Sequence, residues 1–366
     1  MKKFQQLLTL TLSFGFLAVF SVWFLISPAA GESTVERRRL AKRPALSVSS
    51  VANGSFMSGF EAYMLDQFPL RNGFRTLKAV TNANVFRQKD NNGLYSVGNH
   101  LSKLDFPMNG ESVDRAAKRF RYVYDTYLRN AGTKTYLSVI PDKNVFLASQ
   151  NGYPDKDFRA LAERLGRGFP EAKNIDISAL LSAEDFYYTD SHWRQEKITR
   201  VADEIAAQMG AERIGACEIR DTGSPFYGVY YGQAALPHAP ERLFYLDNAV
   251  IRGLKVYNDE ASSDIPVYDL RAAAGRDPYE MFLGGARSII RITNPSAAKE
   301  RRLIVFRDSF GSSIAPLLAA GYSEIILVDI RYISPAALGK LIDFSKVDDA
   351  LFLYSASVIN NSETIK

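Results

Sequence analysis

The run Leu303-Ile304-Val305-Phe306-Arg307-Asp308-Ser309-Phe310-Gly311-Ser312-Ser313 decides the fold. Four apolar residues in a row, two of them β-branched, are too few for a helix and predict a strand buried on both faces. A helical pattern follows over 312–320 and stops at Gly321, and 325–328 reads as a second strand. Strand, helix, strand in that order implies a parallel sheet covered on both sides. The same rhythm extends outward in both directions. Residues 350–354 predict one more strand, and 135–140 another, closed by Pro141-Asp142-Lys143. Ala116, Ala117, Phe120, Val123, Tyr124, Tyr127 and Leu128 recur at helical spacing up to Gly132. A helix over 156–165, a short strand near 174–177 and an amphipathic helix carrying Ile198, Val201, Ala202, Ile205, Ala206 and Met209 complete the pattern. The expected class is α/β.

Residues 217–300 interrupt it with short, aromatic, turn-punctuated pieces such as SPFYGVYYGQ, expected to be strands and loops inserted beside the sheet. Toward the amino end, 94–97 predicts a hairpin strand, and 59–89 predicts helix broken at Pro69. Residues 31–58 are polar, basic and turn-rich, which reads as a stalk. Residues 7–26, LLTLTLSFGFLAVFSVWFLI, are free of charge and long enough to span a bilayer, so 1–30 is expected to be a membrane anchor or signal segment and 59–366 the folded domain. Ser27, Pro28, Ala29 and Ala30 leave cleavage open, and an uncleaved anchor is favoured. Lys2 and Lys3 precede the span while Arg37, Arg38, Arg39, Lys42 and Arg43 follow it, so charge alone does not fix orientation.

Composition narrows the chemistry. The 366 residues carry 45 Lys+Arg against 40 Asp+Glu, a mild and scattered excess with no aromatic-interleaved basic stripe, which argues against a nucleic-acid partner. Cys217 is the sole cysteine, excluding an intramolecular disulfide and a thiolate-rich metal centre. His100, His192 and His238 match no metal-ligand spacing, so no metal is expected.

Two stretches can carry chemistry. In Phe186-Tyr187-Tyr188-Thr189-Asp190-Ser191-His192-Trp193 a carboxylate and an imidazole stand two apart on a loop. The acid can hold one ring nitrogen and leave the other as a general base. Asp190 can equally cap the helix behind it. Ser309 follows a buried strand and precedes a helix, which puts its hydroxyl at the carboxyl edge of a parallel sheet, near helix amides able to receive negative charge. Ser309, like Ser312, can also be a helix cap. Taken together the two stretches supply a base, an orienting acid and a nucleophile for acyl transfer.

Asp190-Ser191-His192-Trp193 with Arg307-Asp308-Ser309-Phe310 resembles the DHHW protein family, which is similar to the SGNH-type O-acetyltransferases of bacterial exopolysaccharide export, such as the periplasmic alginate acetylation proteins. The resemblance also takes in Glu36-Arg37 through Pro44, Asp66-Gln67-Phe68-Pro69-Leu70-Arg71, Pro141-Asp142-Lys143, 279–285 and Asp329-Ile330-Arg331-Tyr332. Ser191 stands where the family name has its first histidine, and the alginate proteins carry a small hydroxyl residue there. The resemblance implies an SGNH-hydrolase-like three-layer sandwich, with Ser309 as nucleophile, His192 as base and Asp190 orienting it. It implies an extracytoplasmic enzyme, anchored in the cell membrane or secreted if cleaved, that acetylates a cell-surface or secreted polysaccharide through an acetyl-serine. A membrane-bound O-acyltransferase would supply the acetyl group, and serine chemistry needs no cofactor. A carbohydrate acetylesterase would carry the same triad, and a non-catalytic polysaccharide-binding or assembly subunit the same fold. Further expectations attach to Gly285, whose N–H can approach the oxyanion; to Arg331, at the sheet edge, able to contact substrate or form an ion pair; and to Tyr227, Tyr230 and Tyr231, able to stack on sugar rings or simply pack.

Overall fold

Successive side chains of a strand point to opposite faces, so an apolar strand core can pack against helices on both sides. The computed structural model describes Lys2–Lys366 and divides into two units, Met1–Asn92 with Tyr231–Pro237 and Gly93–Tyr230 with His238–Lys366. Its helices of eight or more residues are α1 (Lys2–Ile26), α2 (Ser55–Gln67), α3 (Arg71–Asn84), α4 (Gly110–Val123), α5 (Phe158–Gly168), α6 (Thr199–Met209) and α7 (Gly311–Leu318).

The larger unit is built on one eight-stranded sheet. In chain order its strands are β1 (Lys134–Ile140), β2 (Lys173–Asn174), β3 (Lys255–Asn258), β4 (Ser263–Ile265), β5 (Ile289–Thr293), β6 (Arg302–Arg307), β7 (Glu324–Val328) and β8 (Asp349–Ser355). Across the sheet they lie in the order β4-β3-β5-β7-β6-β8-β1-β2. The five from β7 to β2 are parallel, while β5, β3 and β4 form an antiparallel flank. Val305 is flanked by Leu327 and Leu351, and Phe306 by Val328 and Phe352. Leu303, Val305, Leu327, Leu351 and Leu353 pack with α6 and α7 on one face. Ile304, Phe306, Val328 and Phe352 pack with α4 and α5 on the other. Asn109 and Asp157 cap α4 and α5 through the N–H groups of Ser112 and Ala160.

The carboxyl ends of the parallel strands share one edge of the sheet. Ser309 follows β6, Asp142 and Lys143 follow β1, Asp329 and Arg331 follow β7, and Ser355 closes β8. The stretch 217–300 departs from expectation. β3, β4 and β5 continue the main sheet, and only the hairpin Glu218–Phe226 with Glu241–Asp247 stands beside it. The strands are short, and β3 alternates exposed Lys255 and Tyr257 with buried Val256 and Asn258, a two-residue period that is easily lost among turn residues.

The smaller unit contains α1, whose side chains are not buried and which is long and apolar enough to cross a membrane. The expected stalk is folded onto α2 and α3. Glu32–Ser33 pairs antiparallel with Arg38–Arg39. Arg38 makes two hydrogen bonds to Asp66, at 2.9 and 2.5 Å, and the Ala41 N–H adds a third at 2.8 Å. Arg71 pairs with Glu36. The Arg38 hydrogen bond draws the Asp66 carboxyl down to about 2. These complementary charges give a segment with few apolar residues a fixed path.

Candidate active site

β6 ends at Arg307 and α7 begins at Gly311, which leaves Ser309 on the turn between them. The turn is held by Asp308, fully buried, whose Oδ1 accepts the Phe310 N–H at 3.0 Å and whose Oδ2 accepts the Ser355 N–H and O–H at 2.8 and 2.7 Å. The 186–193 loop closes on itself through a bridge between Phe186 and Trp193 and the Tyr187 N–H to His192 carbonyl bond. Asp190 lies within that loop and α6 starts only at Thr199, so capping does not account for it.

His192 Nε2 is 2.7 Å from Ser309 Oγ, and His192 Nδ1 is 2.6 Å from Asp190 Oδ1. Asp190 is fully buried. Its Oδ1 also accepts the His192 backbone N–H at 3.1 Å, and its Oδ2 accepts the Val229 N–H at 2.8 Å. A buried carboxylate facing Nδ1 selects the tautomer that carries hydrogen there, so the Nε2 lone pair faces the Ser309 hydroxyl. The arrangement can move a proton from Ser309 to His192 and stabilise the resulting imidazolium.

The imidazole is clamped from the side. Tyr279 stacks on it with ring centroids 3.8 Å apart and planes inclined by 10°, and Phe310 lies at 4.9 Å. Ser313 Oγ, in the first turn of α7, accepts from both Tyr279 Oη and Trp193 Nε1 at 2.8 Å. Gln195 Nε2 donates to the Ser313 carbonyl at 2.7 Å.

Behind the loop, the buried Lys143 ammonium donates to the carbonyls of Tyr187, Tyr188 and Asp190 at 2.8, 3.0 and 2.9 Å. Its burial pushes the group down to about 7, against the pull of Glu241 and Asp190. Glu241 accepts the N–H groups of Tyr188 and Thr189 and is paired with Arg194 at 2.6 Å. Gly228 passes so close that a Cβ there would overlap the Thr189 carbonyl and the Asp190 side chain. Sequence reading quoted Lys143, Tyr279, Phe310 and Ser313 inside its motifs without giving any of them a role, and it gave none to Gly228.

The remaining expected residues lie as follows. Arg331 is tied to Asp329 by Nε and Nη2, at 2.9 and 2.6 Å. The Gly285 N–H is donated to the Phe282 carbonyl at 3.1 Å, and its own carbonyl accepts from buried Arg307 at 3.4 Å. Tyr230 covers Lys143, with Nζ 5.3 Å from its ring centre, and Tyr227 is half-buried just beyond the hairpin strand. Tyr231 belongs to the smaller unit. His100 meets Glu184 at 3.2 Å, and His238 meets the carbonyls of Ala239 and Asn99.

No family model and no curated protein matches the chain. Solved structures do. A DHHW family protein from Eubacterium siraeum DSM 15702 matches with a TM-score of 0.59 at 18% identity, over 75% of this chain and 95% of that one. Bacillus cereus PatB1, solved with a sulfonyl adduct, matches with a TM-score of 0.60 at 17% identity, over 73% of this chain and 95% of that one. A looser match, with a TM-score of 0.41 at 14% identity over 68% and 84%, is the O-acetyltransferase domain of Pseudomonas putida AlgJ. The chain therefore has the fold of a DHHW family protein, and its Asp190-Ser191-His192-Trp193 stretch is the loop that meets Ser309.

Proposed function

We propose that the protein is a membrane-anchored, extracytoplasmic O-acetyltransferase of SGNH type that acetylates a polysaccharide through Ser309, His192 and Asp190. The observation that carries this reading is the unbroken hydrogen-bond path from Asp190 Oδ1 through His192 to Ser309 Oγ at the carboxyl edge of the sheet. The resemblance of both motifs to the exopolysaccharide acetylation proteins supplies the acetyl group and the sugar acceptor.

In the first half-reaction Ser309 Oγ attacks the carbonyl carbon of the acetyl donor while His192 Nε2 takes its proton. The tetrahedral intermediate collapses, the bond to the donor's leaving group breaks, and His192 returns the proton to that group. Ser309 is left as an acetyl ester. In the second half-reaction a sugar hydroxyl loses its proton to His192 and attacks the same carbon. The Ser309 ester bond breaks and Oγ recovers the proton. Asp190 stays ionised throughout and stabilises the imidazolium. The start of α7, two residues past Ser309, directs its peptide dipoles so that positive potential lies at the amino end, where the oxyanion forms. Asp329 holds Arg331 by two hydrogen bonds at the same edge, which suits it to contact an acceptor oxygen with its remaining surface.

The test is turnover of an acetylated chromogenic ester by the purified chain, with and without an oligosaccharide acceptor. Acceptor-dependent acetyl transfer that vanishes in Ser309→Ala supports the reading. Dominant acceptor-independent hydrolysis reassigns the protein as an acetylesterase. Unchanged polysaccharide acetylation in cells carrying Ser309→Ala leaves a binding or assembly subunit. A sulfonyl fluoride, which needs an activated hydroxyl, should label Ser309 and fail to label it in His192→Gln.

A further inference from the structure

The smaller unit displays large apolar side chains that its own core leaves uncovered. On α2, Phe56, Met57, Phe60, Tyr63 and Met64 fall on one face, and Met57 is 63% exposed. On α3, Leu70 at the cap, Phe74 and Leu77 recur at helical spacing, and Leu77 is 61% exposed. A water-facing surface of this kind is costly unless something apolar covers it.

Both faces touch α1. Phe24 meets Tyr63 edge-on at 5.5 Å, and Phe20 meets Phe68 at 5.3 Å and Phe74 at 5.7 Å. At about 1.5 Å per residue, α1 is roughly 37 Å long, against a hydrocarbon core of about 30 Å. With the helix centred, Phe24 lies near one hydrocarbon boundary and Phe20 about 6 Å inside it. The α2 and α3 faces that touch these two phenylalanines must lie at the same depth. Lys42 and Arg43 precede them in the chain, and Lys78 stands on α3 beside Phe74. α3, which holds Arg71, Arg75 and Lys78 and no acidic residue, has the composition of an interfacial helix, apolar on one side and basic beside it, whereas α2 carries Glu61 and the Arg38-paired Asp66 and contributes its apolar face.

We propose that α2 and α3 form a lipid-embedded collar around the emerging end of α1, lying in the headgroup layer of an anionic membrane. This rests on the reading of α1 as a retained anchor. The collar makes residues 55–84 part of the membrane attachment, and removal of α1 would strip Phe20 and Phe24 from contacts with Tyr63, Phe68 and Phe74.

The experiment uses the full chain in vesicles of phosphatidylethanolamine and phosphatidylglycerol. In a Cys217→Ser background, single nitroxide labels are attached at Leu17→Cys, Met57→Cys, Leu77→Cys and, as the aqueous reference, Arg159→Cys. Each variant is first checked for the wild-type melting transition. Collisions with oxygen report lipid, and collisions with a soluble nickel chelate report water. The expected result is an oxygen-to-nickel ratio at Met57 and Leu77 severalfold above that at Arg159 and below that at Leu17. Water-like ratios at Met57 and Leu77 with a lipid-like Leu17 overturn the collar and leave the anchor standing. A water-like Leu17 overturns the anchor itself. Labels at Met57 and Leu77 shielded from both reagents mean that protein, either a second copy or a membrane partner, covers the face, and the lipid assignment fails.

Discussion

Asp190-Ser191 and Asp308-Ser309 are the same dipeptide at two places in the fold, and both carboxylates are fully buried with donors on each oxygen. Their surroundings differ. Asp190 turns one oxygen to an imidazole nitrogen, whereas Asp308 meets only backbone N–H groups and the Ser355 hydroxyl. The aspartate adjacent to Ser309 is therefore the one that shapes the turn. The aspartate that faces the imidazole comes from a separate loop, with His192 117 positions before Ser309 in the chain. Burial does not separate the two aspartates; the identity of the donor does.

The largest expected effect sharpens that contrast. Ser309→Ala should lower kcat/KM for a chromogenic acetyl ester on the order of 10⁴-fold or more with little change in melting temperature. Asp190→Asn should cost about 10⁴-fold in kcat, because an amide N–H facing Nδ1 favours the wrong tautomer. Asp308→Asn should instead lower stability by about 1–3 kcal/mol, as an amide cannot accept from all the donors around it. Calorimetry alongside turnover separates the two. Equal kinetic losses in both aspartate variants with equal melting temperatures would erase the distinction.

Next in size is Gly228→Ala. The added methyl must displace the Thr189 carbonyl and the Asp190 side chain. Overpacking of this kind costs about 1–3 kcal/mol, and a shift of about 1 Å at the acid costs roughly 10²-fold in rate. A variant with wild-type turnover would mean that the Asp190 side of the site tolerates movement that the Ser309 side does not.

Most of the parallel sheet was legible in the sequence because its strands are buried on both faces and appear as uninterrupted apolar runs, as in 303–306 and 350–354. β3 and β4 were not, since half of their residues face solvent and turn residues crowd them. The Asp190, His192 and Ser309 trio was legible as motifs. Their approach to one another depends on packing that no local pattern encodes, including the stacking of Tyr279 on His192 and the passage of Gly228 beside Thr189. Gly285 illustrates the opposite limit: a glycine suited to approach an oxyanion has its N–H engaged by Phe282.

Lys143 gives the comparison a pH axis. It braces only the Asp190 loop, with one N–H for each of three carbonyls. A neutral amine has two N–H groups, so as pH rises through about 7 one carbonyl loses its donor and turnover should decline on the alkaline side. The stability sign runs the other way. The folded-state value lies below the ordinary 10.5 of an unfolded lysine, so between about 7 and 10.5 the unfolded chain binds more protons and stability rises with pH. Lys143→Met should remove that rise and flatten the alkaline limb of kcat while lowering kcat itself. An unaltered pH profile would show that the loop holds without it.

The smallest effect, that of Tyr279→Phe, concerns the point where the two regions are joined. Ser313 Oγ takes hydrogen bonds from Tyr279, which stacks on His192, and from Trp193, next to it in the chain. It stands four residues after Ser309, so it links the imidazole to the helix that follows Ser309. Tyr279→Phe keeps the ring stack and leaves the Trp193 bond in place, so the loss should be about 1 kcal/mol of stability and little turnover. Tyr279→Ala removes the stacked face as well. Its cost should be about 3–5 kcal/mol, with a larger fall in kcat than in affinity, because the imidazole gains freedom to rotate away from Ser309. If the two variants lose turnover equally, the hydroxyl rather than the ring holds His192 in line, and the coupling between the loop and the turn runs through Ser313 alone.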